Sequence, residues 1–70
     1  MKSIKNTFNK VKSKQPALGS YICLAEAVKN KHYTQDAISR AFTSLMPKDE
    51  YQSTERRGLI KQLATLSNTP

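Results

Sequence analysis

Gln35, Ser39, Arg40 and Thr43 follow one another at the spacing that lines one side of an α-helix. Amide, hydroxyl and guanidinium groups are the side-chain types that hydrogen-bond to base edges in a DNA groove. Ser44 extends the same polar face, and short side chains let a helix come close to a groove. Ser and Thr are mediocre helix formers, so a purely structural face would more often carry Glu and Lys. An ordinary solvated face is the competing reading of the same residues.

Lys5 and Lys12, together with Arg56, Arg57 and Lys61, offer the complementary chemistry, neutralisation of phosphate. The two arginines fall near the start of an expected helix, where the dipole disfavours cations. Arg57 and Lys61 are one helical turn apart, a like-charge pair costing roughly a few tenths of a kcal/mol. A bound anion would relieve both. Gly58 costs up to ~1 kcal/mol against Ala inside a helix. Its missing side chain permits close approach by a ligand or another helix. Alternatively, Glu55 offsets the dipole, the arginines point to water and Gly58 packs on a neighbour.

The residues for catalysis are missing. One His and one Cys give no metal-ligand spacing, and no cofactor is expected. Asp49 and Glu50 are adjacent, so their side chains diverge. No P-loop, dinucleotide fingerprint or nucleophile elbow occurs. A non-enzymatic chain is therefore expected. Stacking on unpaired bases needs exposed aromatics, but Tyr21 belongs to an apolar stripe and Tyr33 suits a hydrophobic staple. Tyr51 is the one tyrosine the pattern assigns to no core position.

The net charge of +7 favours a polyanionic partner, and residues 1–16 carry five lysines with no acid. Cys23 cannot form an internal disulfide and reads as a small buried hydrophobe; a cytoplasmic setting is expected. No apolar run approaches the ~18 residues of a membrane span.

The elements that must position these groups are helical. Ile4, Phe8 and Val11 mark a basic first helix, about 3–14 within the segment 1–14. Pro16 suits the first position of a second helix, about 16–29. Leu18, Tyr21, Ile22, Ala25 and Val28 form its main stripe, widened by Cys23, Leu24 and Ala27. Asn30 is a plausible left-handed stop. Thr34 caps the third helix, with Tyr33 poised to staple onto Ile38. Ala37, Ile38, Ala41, Phe42, Leu45 and Met46 form its buried face, and Pro47 ends it. A tight turn or a single helical turn follows over 47–52. Ser53 or Thr54 caps the fourth helix, whose stripe is Leu59, Ile60, Leu63 and Leu66, and 67–70 reads as a frayed tail. The predicted class is all-α: one domain, 1–70, a small bundle of four short helices.

Residues 24–46 have the local form of a helix-turn-helix: Leu24-Ala25-Glu26-Ala27-Val28-Lys29, then Asn30-Lys31-His32-Tyr33, then the Thr34-capped helix. Ile38-Ser39-Arg40-Ala41 resembles the centre of a repressor-type recognition helix. The turn lacks glycine, and the spacing from Ala25 to Ile38 exceeds the commonest version. A plain helical hairpin accounts for the same residues. The resemblance implies that the third helix enters the major groove, with the protein working as a homodimer or beside another protein. The expected partner is nucleic acid, DNA before RNA. The alternative is an interaction module binding an acidic protein surface, with Met46 or Tyr51 as contact and the lysines steering association. A third reading lays the first helix on anionic lipid through Ile4, Phe8 and Val11.

Overall fold

The computed structural model describes residues 4–46, 49 and 51–69. Four helices occur, α1 (Ile4–Lys14), α2 (Ser20–Val28), α3 (Gln35–Leu45) and α4 (Ser53–Ser67), with no strand among the described residues. The all-α expectation is met. Pro47, Lys48 and Glu50, expected in a turn, lie outside the described residues, as do 1–3 and 70.

α1 buries Ile4 and Phe8, with Val11 packed beside them, as the stripe predicted. The apolar face offered to a lipid surface is thereby covered. Pro16 does not open α2. It occupies the second position of a tight turn, Gln15 to Leu18, closed by the Leu18 N–H donating to the Gln15 carbonyl at 3.1 Å. That position suits the fixed φ of proline. α2 starts only at Ser20, after an extended Gly19.

The buried face of α2 is rotated from the expected stripe. Cys23, Leu24, Ala27 and Val28 are fully buried, whereas Ile22 is 49% exposed. Nearly the whole circumference of this helix is apolar, so periodicity alone could not choose a face. α2 packs on α1 and α4 and more lightly on α3. Cys23 is the small buried hydrophobe expected of it.

Asn30 follows the α2 C-cap with φ 58°, the left-handed stop read from the sequence; His32 shares that φ. The loop is strapped to the end of α4. The Asn30 and His32 N–H groups donate to the carbonyls of Leu66 and Ser67, at 3.4 and 3.0 Å. The Tyr33 N–H donates to the Ser67 hydroxyl at 2.9 Å, and the Asn68 amide donates to the Tyr33 carbonyl at 3.1 Å. Carbonyls left without helical partners at a C-terminus are satisfied in this way. The expected frayed tail is therefore corrected at its first two residues: Ser67 is fully buried and Asn68 is the α4 C-cap.

Thr34 caps α3 as expected, accepting from the Ala37 N–H at 3.1 Å. α4 departs from expectation at its start. Its N-cap is Gln52, without a side-chain cap bond, so neither Ser53 nor Thr54 plays that role. α3 and α4 run antiparallel. The N-terminal half of α3 lies beside Arg57 and Lys61, and Phe42 near its other end meets Tyr51, ring centroids 5.6 Å apart. Tyr51 thus has a structural role, and Met46 is buried. Both α1 and α4 pack on α2 and on α3, but no Cα–Cα approach within 8 Å joins α1 to α4. The result is a slab of 29 × 28 × 17 Å.

Candidate functional site

Antiparallel packing of α3 on α4 opens a cleft of about 560 Å³ along their shared flank, lined by Gln35, Asp36, Ser39, Arg57, Ile60 and Lys61. Gln35 and Ser39 are one turn apart on α3; Arg57 and Lys61 are one turn apart on α4. Each pair therefore presents a single edge. A neighbouring hollow, lined by Ser39, Ser53, Arg56, Arg57 and Ile60, carries the surface on to the start of α4. Gln35, Ser39, Arg56, Arg57 and Lys61, all expected as site residues, are thus brought together.

The cleft is electropositive. Its acid, Asp36, is engaged by Arg40, Nε to Oδ2 3.1 Å, with the two side chains 74% and 82% exposed. An ion pair so exposed has little strength in water. Neither Arg57 nor Lys61 has an ion-pair partner among the described residues. The positive end of the α4 dipole adds to the field of Arg56 in its first turn and Arg57 just beyond, with Glu55 as partial offset. Arg56 is half-buried, its guanidinium carbon 5.8 Å from the centre of the Phe42 ring. This cation–π contact anchors the stem of Arg56 beside the cleft.

Gly58 does not pack on a neighbour. It is exposed, and a Cβ built there meets nothing within 4 Å.

The remaining expected residues are placed elsewhere. Arg40 lies on the outer face of α3, held by Asp36. Thr43 is exposed, but its hydroxyl donates to the Ser39 carbonyl at 3.0 Å, so only its acceptor capacity faces outward. Lys12 braces the fold instead. Its ammonium donates to the Leu18 carbonyl at 2.7 Å, tying α1 to the following turn. Lys5 is two turns from Lys12 and shares that flank, away from the cleft.

Lys10 and Lys31 were not among the expected site residues, although Lys10 is one of the five lysines of residues 1–16. With Asn6 and Thr7 they line a second cleft, of about 310 Å³, between α1 and the α2–α3 loop. The one-turn spacing of Asn6 and Lys10 was a visible signal. The approach of Lys31 was not, because only folding brings that loop to α1.

Tyr21 titrates above the ordinary phenol range because burial disfavours its charged form. Its hydroxyl donates to Gln62 at 3.1 Å, and the residue lines neither cleft. Among the described residues no three His, Cys, Asp or Glu side chains gather as a metal site, and no helix is long and apolar enough to cross a membrane. No protein-family model, curated protein or solved structure matches this chain.

Proposed function

We propose that this chain is a non-catalytic DNA-binding domain in which Arg56, Arg57 and Lys61 hold backbone phosphates. The N-terminal half of α3 would then face the bases through Gln35, Ser39 and Arg40. The observation that carries the reading is the shared cleft. It sets two cations of α4 against hydrogen-bonding side chains of α3 in one solvent-open surface. Phosphate contacts fix register and base-edge contacts supply preference, so the two edges divide the work of recognition. Duplex DNA is favoured over duplex RNA on shape. A helix is about 10–12 Å across with its side chains and fits a B-DNA major groove about 12 Å wide. The deep, narrow major groove of A-form RNA does not admit side chains in this way. The helix-turn-helix likeness of α2 and α3 is part of this proposal, although α3 leans mainly on α4. The interaction-module alternative loses its expected contact, since Met46 is buried and Tyr51 is packed on Phe42.

Fluorescence anisotropy with a random 20-base-pair duplex, followed from 50 to 200 mM salt, tests the reading. Three phosphate contacts from α4 contribute about −2.7 to the slope of log affinity on log salt, at about −0.9 per phosphate. Affinity then falls at least about 40-fold over that range. Arg57→Ala with Lys61→Ala makes the slope shallower by about 1.8. A wild-type affinity insensitive to salt, or an unchanged slope in the double variant, overturns the proposal. Capture of one stoichiometric protein that survives nuclease treatment, with no duplex binding, would turn the cleft over to an acidic protein surface.

A further inference from the structure

We infer that Lys10 and Lys31 form a second phosphate-holding edge. It would contact the DNA strand opposite the one held by Arg57 and Lys61, with α3 between the two edges. The inference rests on the DNA-binding reading and deepens it.

Three observations carry it. First, α1 and α4 do not approach each other, and both pack on α2 and on α3. Cations on the α1 side and on the α4 side therefore lie apart, with the α2–α3 pair between them. Second, the α4-side cleft includes the start of α3: Gln35 and Asp36 line it, and Lys31 of the α1-side cleft lies four residues before Gln35, in the loop that leads into α3. This is the end whose side chains reach base edges when a recognition helix docks. Third, the flanks of α1 are chemically distinct. Lys12, whose ammonium holds the Leu18 carbonyl, marks the flank toward the α1–α2 turn. Asn6, Thr7 and Lys10 mark the flank toward Lys31 and the entry to α3. Lys10 and Lys31 are both exposed, and neither enters an ion pair among the described residues.

Scale supports the arrangement. α3 with its side chains is about 10–12 Å across, close to the ~12 Å of the major groove. Cations on either side of a helix seated there meet phosphates of different strands. The ligand class of the Asn6–Thr7–Lys10–Lys31 cleft is thus the phosphodiester backbone of duplex DNA.

The test repeats the salt titration on Lys10→Ala, Lys31→Ala and their combination, with Lys5→Ala as control. Lys5 is an exposed α1 lysine on the other flank, so its loss removes charge without touching the second edge. Each edge lysine removed makes the slope shallower by about 0.9, and the pair by about 1.8, while Lys5→Ala leaves it unchanged. From 50 to 200 mM salt, wild-type affinity then falls about 12-fold further than that of the double variant. If the double variant matches Lys5→Ala while Arg57→Ala with Lys61→Ala still flattens the slope, the second edge is refuted and the DNA-binding reading stands. If the wild type does not bind duplex at all, both are refuted.

Discussion

Replacing Ser67 by Ala tests whether the end of α4 holds the fold together. Ser67 is fully buried, and its hydroxyl accepts the Tyr33 N–H at 2.9 Å. Alanine fits the space but leaves that N–H without its acceptor. An amide that loses its partner away from water costs about 1–3 kcal/mol. The bond is only partly buried, so water recovers some of the loss and the lower part of the range, about 1–1.5 kcal/mol, applies. A core of this size supplies only about 3–5 kcal/mol of net stability. One hydroxyl therefore accounts for roughly a fifth to a half of it. Each kcal/mol moves the midpoint of a domain this small by about 4–8 °C, so a fall of about 4–12 °C is expected. Thermal and urea unfolding followed by helical circular dichroism measure it, with Ser44→Ala, an exposed serine on α3, as reference. Native-state amide exchange should also show Tyr33 losing protection, which ties the loss to that bond. A change below about 0.5 kcal/mol, the range of ordinary surface substitutions, with Tyr33 protection unchanged, would refute the strap. It would restore the frayed tail that composition suggested.

Gly58→Ala should stabilise α4 by up to about 1 kcal/mol, because the added methyl meets no neighbour and the helix interior favours Ala; a loss in urea unfolding would mean that the position is crowded. His32→Gly should raise stability by a few tenths to about 1 kcal/mol, since φ 58° strains a side chain that glycine lacks; a lower midpoint would contradict that backbone geometry. The Tyr21 phenol, raised by burial above its usual value of 10.0, should ionise above that value when absorbance is followed at alkaline pH. Below pH 10 the phenol is neutral in folded and unfolded chains alike. As pH rises past the unfolded value, the unfolded chain releases this proton first, so the stability linked to Tyr21 falls through the folded value. Tyr21→Phe should reduce that alkaline loss, and an unchanged pH profile would show that the phenol is not the source.

The first and third helices were legible because their apolar residues form narrow stripes. Ile4 and Phe8, and Ile38 and Phe42, are buried where their spacing puts them. The Thr34 cap and the Asn30 stop were legible because a cap acts within three residues of itself. α2 defeated the same method because an all-round apolar helix does not state its own rotation, and Ile22 was assigned to the wrong side. Pro16 was ambiguous, since proline suits both a helix start and the second position of a turn. Ser67 looked like tail because its acceptor role depends on Tyr33, far away in the chain. Of the expected site residues, the α4 cations and the α3 pair Gln35 and Ser39 could be paired only after the two helices were seen to run antiparallel.

The chain's own pattern determined the number of helices, most of their limits, the positive charge and the polar character of α3. These follow from a 3.6-residue period, from capping and from side-chain charge, all of which act locally or by composition. Tertiary packing decided which flank of each helix faces which neighbour. It set Lys12 to bracing a turn, placed Lys10 beside Lys31, and joined Arg57 and Lys61 to Gln35 and Ser39 in one cleft. The rotation of a helix about its axis is fixed by the fit of the whole core, and no short window of sequence contains that information.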